Sequence, residues 1–115
     1  MNGLKYNIVM FAYNEQDNIE TSITSVFNST DECLHRFYVI ANGCTDTTVK
    51  VANEVKQKLN FDKLTVYEVE LGDKCNAWNI YVHELADDVA VHFFIDADVR
   101  FSLNCFPQMA DKLNA

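Results

Sequence analysis

Two aspartates one residue apart, Asp96 and Asp98, stand at the end of the apolar run Val91-His92-Phe93-Phe94-Ile95. In extended chain a spacing of two sends both carboxylates to the same side, aiming hard oxygen ligands at one point. Mg2+ or Mn2+ suits such a pair. Two carboxylates rarely complete an octahedron, and these cations take their remaining ligands from water and substrate phosphates, so a metal here implies a phosphorylated ligand. The triplet read in isolation is equally an acidic loop capping the next segment. Other polar groups follow other apolar runs: Tyr13, Asn14 and Glu15 after one, Asn42 to Asp46 after a second, Lys74 after a third. Cys44 and Cys75 fall in these loops without a neighbouring base to make either a nucleophile. Cys33, Cys44, Cys75 and Cys105 form no CxxC pair and read as reduced thiols. His35, His83 and His92 share no metal-ligand spacing; His92, inside an apolar run, reads as structural, and Trp78 as core.

The elements that must carry these residues are legible as a repeated switch between strand-like runs and helical spacing. Tyr6 to Phe11 is the first strand. Asn14 then reads as an N-cap, with Glu15 and Asp17 in a first turn and Ile19, Ile23, Val26 and Phe27 on one helix face ending near Asn28-Ser29-Thr30. Arg36 to Ile40 is the second strand, followed by a turn with a cap over 42–46 and a helix with Val51, Ala52, Val55 and Leu59 on one face. Leu64 to Val69 alternates as a strand near a sheet edge does. After Gly72, Trp78, Tyr81, Val82 and Leu85 fit a third helix. Val91 to Ile95 is a fourth strand, and Phe106, Met109, Ala110 and Leu113 the inner face of a last helix that tolerates Pro107 in its first turn. This βα alternation predicts an α/β, three-layer, Rossmann-like domain with a mostly parallel four-stranded sheet and helices on both faces. All strand ends then share one rim, where open α/β sheets bind ligands.

Composition narrows the function further. With 115 residues, 49% hydrophobic and 23% charged, and only 3 Gly and 1 Pro, the chain has the make-up of one folded domain over 1–115. Its 17 acidic and 9 basic residues leave a net charge of -8, which repels phosphate backbones and anionic lipid. A nucleic-acid or membrane-surface role therefore lacks its electrostatic footprint, no nucleic-acid partner is expected, and a cation is the more natural one. No apolar run approaches the ~20 residues of a bilayer span, so a cytoplasmic location is expected. No GxGxxG follows the first strand and no GxxxxGK[ST] occurs, which removes dinucleotide and P-loop folds. A phosphoryl-accepting receiver domain would need acids where Ala12-Tyr13-Asn14 stand.

Four blocks, Ile8 to Glu15, Ile40 to Thr48, Gly72 to Asn79 and Phe93 to Asp98, resemble in order and spacing the nucleotide-binding half of family 2 glycosyltransferases of the GT-A fold. That resemblance implies a set of roles. Ala12, Tyr13 and Glu15 would border the base and ribose, Asn42 would bond the base edge, and Lys74 would lie near the base or diphosphate. Asp96 would bind the ribose beside Asp98, which holds the metal, Mg2+ or Mn2+. The family's second block carries an acidic pair where this chain has Ala41 and Asn42; an Asn amide, donor and acceptor at once, still suits uracil.

The resemblance further implies a nucleoside diphosphate sugar as partner, UDP-sugar favoured, and inverting transfer to the hydroxyl of a sugar or lipid-linked acceptor. It covers about the first half of the family's catalytic domain, whose base and acceptor residues come later. No catalytic residue is therefore assigned, and the chain is expected to bind donor without transferring sugar. The alternative is a non-catalytic nucleotide-binding module of the same fold. The fourth strand would expose an edge, a route to a homodimer.

Overall fold

The structure, a computed structural model, describes residues 5–70, 81–82, 89, 91–97 and 106. The segment Tyr-Asn-Ile-Val-Met-Phe-Ala forms β1 (Tyr6–Ala12), buried at every position. A strand covered on both faces has no solvent side to alternate with, so it reads as an apolar run broken only by Asn7. Then come α1 (Ile19–Phe27), β2 (Leu34–Asn42), α2 (Thr48–Leu59), β3 (Leu64–Val69) and β4 (Val91–Asp96). The sheet runs β3-β2-β1-β4, and every neighbouring pair is parallel. The α/β, Rossmann-like architecture read from the sequence is the one observed, and among the described residues the third strand lies at a sheet edge.

Side-chain alternation divides the core into two layers. On one face Ile8 and Met10 of β1 and Phe37 and Val39 of β2 meet Ile19, Ile23 and Val26 of α1 and Ala52 and Val55 of α2. On the other, Val9, Phe11, Tyr38, Ile40 and Val69 gather around Tyr81. Tyr81 and Val82 lie in a helical turn, and Phe106 is also helical, buried in the first layer with its N–H donating to the Ser29 carbonyl. The rest of the two expected C-terminal helices, with Trp78 and Leu85, lies outside the described residues. Among those described, no helix is long and apolar enough to cross a membrane.

One expected boundary is corrected. Asn14 is not the N-cap of α1: the helix starts at Ile19, its N-cap position is Asn18, and its first-turn acid is Glu20 rather than Glu15 or Asp17. Asn14 sits at φ 50, in the left-handed region that asparagine tolerates better than most residues. The chain turns outward there before the N–H groups of Asn18 and Ile19 close a first turn on the Glu15 carbonyl.

Because β2 and β3 extend the sheet on one side of β1 and β4 on the other, the strand order reverses between β1 and β4. In open α/β sheets the crevice outside the carboxyl ends at such a reversal is where ligands bind. The register places Asp96 beside Phe11 and pairs Ala12 with Ala41, so the ends of β4, β1 and β2 converge there.

Candidate functional site

The loops after β1 and β2 are stitched together by side chains. The Asn14 side-chain oxygen accepts the Thr45 N–H at 2.8 Å, and the Gln16 side-chain oxygen accepts the N–H and hydroxyl of Thr47 at 3.2 and 2.7 Å. Thr48, fully buried at the start of α2, accepts the Glu15 N–H at 2.9 Å on its hydroxyl oxygen while that hydroxyl donates to Asp46. Asp46 also accepts the N–H groups of Thr48 and Gln16, at 2.9 and 3.4 Å. Bonding from the Thr48 hydroxyl, joined by these N–H groups, holds the Asp46 carboxyl below its usual range against a smaller opposing effect of burial. Cys44 completes the seam, accepting the Asn14 N–H at 3.4 Å and donating to the Ala12 carbonyl at 3.5 Å. Cys33 and Cys44 are both free thiols. Gly43, at φ 69, turns the chain so that its N–H meets the Val69 carbonyl at 2.6 Å, tying in β3.

Against this wall the expected site residues differ in what they present. Tyr13 is 61% exposed, so its ring is open to a ligand. Ala12 is buried, and its carbonyl is engaged by Cys44. Glu15 uses its backbone for the turn and leaves its side chain half-exposed. Asn42 is 6% exposed, and its side-chain oxygen has no hydrogen-bond partner among the described residues. A buried amide oxygen without a partner costs about 1–3 kcal/mol, so a donor meeting it stabilises the fold by a similar amount. By strand alternation Asn42 and Asp96 share the Tyr81 face, standing on either side of β1 and two residues out of level, roughly 12 Å apart.

Asp96 is exposed at the end of β4, and Ala97 already lies in a turn. Asp98 and Lys74 lie outside the described residues, as do Cys75 and Cys105. Among those described, no group of three or more His, Cys, Asp or Glu could hold a metal. One exposed carboxylate fits a hard cation that draws most of its ligands from water and phosphate, and it does not fit a metal caged by protein.

Sequence reasoning missed two features of this region. The Gln16–Thr47 contact joins two loops distant in the chain, and neither residue carries a local signal of it. The hydroxyl of Ser22, buried on α1, donates to the carbonyl of Ala97. His92, read as structural, accordingly bonds through Nδ1 to the Tyr81 hydroxyl at 2.5 Å.

Residues 7–115 match the family model of glycosyl transferase family 2. The chain belongs to that family. The four-block resemblance is thereby borne out, and with it the GT-A reading of the fold. A mannosyltransferase from Pyrobaculum calidifontis, solved in complex with GDP-Man and Mn2+, is similar in fold, with a TM-score of 0.81 and 17% sequence identity. The similarity covers 98% of this chain but 32% of that one, so this family 2 chain spans about a third of its neighbour's length. No curated protein matches it.

Proposed function

We propose that residues 1–115 form a single nucleotide-binding half domain of a glycosyltransferase, taking a nucleoside diphosphate sugar and a divalent cation at the rim where β1, β2 and β4 end. The observation that supports this reading is Asn42, a buried acceptor at the end of β2 whose side-chain oxygen has no hydrogen-bond partner among the described residues. An imino N–H of a base satisfies it, from uracil in the favoured UDP-sugar or from guanine, while the amide N–H group donates to a base carbonyl. Tyr13 offers its ring to the base, Glu15 and the backbone of Ala12 border the base and ribose, and Lys74 meets the diphosphate. Asp96 bonds the ribose and, with Asp98, holds Mg2+ or Mn2+. The cation, when bound, neutralises the charge of the diphosphate. Support for the cation comes from the exposed Asp96 and from the Mn2+ in the complex of the Pyrobaculum calidifontis mannosyltransferase.

In the complete enzyme the acceptor hydroxyl, on a sugar or a lipid-linked acceptor, displaces the diphosphate with inversion. This chain contributes donor positioning to that step and no general base. Calorimetric titration of UDP and of GDP, each with and without Mn2+, tests the reading. Binding is expected to be strengthened by Mn2+; Asn42→Leu is expected to weaken it about tenfold with or without metal, and Asp98→Ala to remove the Mn2+ dependence alone. If neither nucleotide binds, or if Asp98→Ala keeps the full Mn2+ effect, the assignment is wrong.

A further inference from the structure

Tyr13 presents an aromatic ring at the rim, and with 61% of the residue exposed, burial in the core does not hold it. What can fix its direction is the backbone on either side. The peptide plane before Tyr13 carries the Ala12 carbonyl and the plane after it carries the Asn14 N–H, and both planes contain the Tyr13 Cα. One sulfur meets both. Cys44 Sγ donates to the Ala12 carbonyl at 3.5 Å and accepts the Asn14 N–H at 3.4 Å, so the thiol serves once as donor and once as acceptor.

The loop that supplies Cys44 is held in return. Asn14 stands at φ 50, a backbone region that asparagine enters at less cost than most residues, and its side-chain oxygen accepts the N–H of Thr45, the residue after Cys44, at 2.8 Å. Asn14 and Cys44 thus clasp each other across 30 positions of chain, with Tyr13 enclosed between the bonded groups. The second loop leaves β2 at Asn42, whose buried side-chain oxygen has no partner among the described residues. We infer that the Asn14–Cys44 clasp is a positioning device for nucleotide recognition, presenting the Tyr13 ring at a fixed place relative to Asn42 without itself touching the ligand. This rests on the reading of Tyr13 and Asn42 as base-binding groups. Backbone held in advance need not be ordered when the base arrives, so the clasp adds affinity through entropy rather than contact.

The test is calorimetric titration of UDP, and separately of GDP, into the full chain without metal, with thermal melts of every variant. Cys44→Ala removes both bonds beside Tyr13 and is expected to weaken binding about tenfold, the scale of leaving one residue's backbone to be ordered on binding. Cys44→Ser keeps a donor and an acceptor there and is expected to stay within about threefold of wild type. Asn14→Gly keeps the left-handed backbone and its N–H but loses the bond to Thr45; it is expected to weaken binding by about threefold to tenfold, and it takes the place of Cys44→Ala if that variant does not fold. The deciding measurement is a double-mutant cycle with Tyr13→Ala. Once the ring is gone there is nothing left to position, so Cys44→Ala on that background is expected to change affinity by less than about twofold. A merely structural thiol would lower the melting temperature and either spare affinity or weaken it equally with and without Tyr13, and both results overturn the proposal. If Tyr13→Ala alone leaves affinity unchanged while Asn42→Leu weakens it, the nucleotide reading stands and the clasp falls. If the wild type binds neither nucleotide, that reading itself fails and takes the clasp with it.

Discussion

At the scale of single residues, the rim separates groups that hold the loops from groups that remain open to a ligand. Asp46 belongs to the first kind. Its carboxylate gathers the Thr48 hydroxyl and the N–H groups of Thr48 and Gln16, and its pKa is lowered. A depressed folded-state pKa means that the stability it lends is complete above the unfolded value of about 3.9 and is lost as pH falls through the lower folded value. Asp46→Asn should therefore melt below wild type at neutral pH, and the gap should close in melts taken below about pH 3. A gap that persists unchanged in acid would show that the charge plays no part. The turn over 42–46 was legible in the sequence, but the N-cap position of α2 is Thr47, one residue beyond it, and Asp46 meets the Thr48 N–H from just outside the helix. Asn14 followed the same grammar and was misread, since nothing local reveals that its side chain is committed to Thr45 in another loop.

At the scale of elements, the strands were the most legible part, and β3 has the bounds that its alternation suggested. β2 runs from Leu34 to Asn42, longer than the run Arg36 to Ile40, because exposed His35, which falls at a register shift, hides the start of the strand, where Leu34 pairs with Tyr6. What sequence could not show is the polar column that crosses β1 and β4. Asn7, fully buried, accepts the Arg36 N–H on its side-chain oxygen and donates to the Tyr81 hydroxyl at 3.0 Å; Tyr81 in turn reaches Nδ1 of His92, the register partner of Asn7. The phenol oxygen thus accepts from Asn7 and shares a hydrogen bond with Nδ1 of His92. Tyr81→Phe should leave both partners short of a bond inside the second layer and cost about 1–3 kcal/mol. Urea unfolding should show a lower midpoint at unchanged slope; an unchanged midpoint would mean that the ring alone anchors this segment to the sheet.

For the whole molecule, charge and edge oppose each other. A net charge of -8 keeps copies apart, yet β4 ends the described sheet with the apolar sequence Val-His-Phe-Phe-Ile-Asp and no lysine to protect it. Light scattering over a dilution series should reveal association that strengthens with added salt, as repulsion is screened. A monomer at every concentration and ionic strength would place other chain over that edge. The placement of β4 also bears on how the domain comes into being. Pairing β1 with β2 joins Tyr6 to Leu34, whereas pairing β1 with β4 joins Tyr6 to Val91, a far longer loop with a larger entropic toll. Contacts of long sequence separation form slowly, so β1 to β3 can assemble while β4 is still being sought. The wall made by the first two loops is thus expected to form before the crevice between β1 and β4 closes, so pulse-labelled hydrogen exchange should protect β2 amides before those of β4.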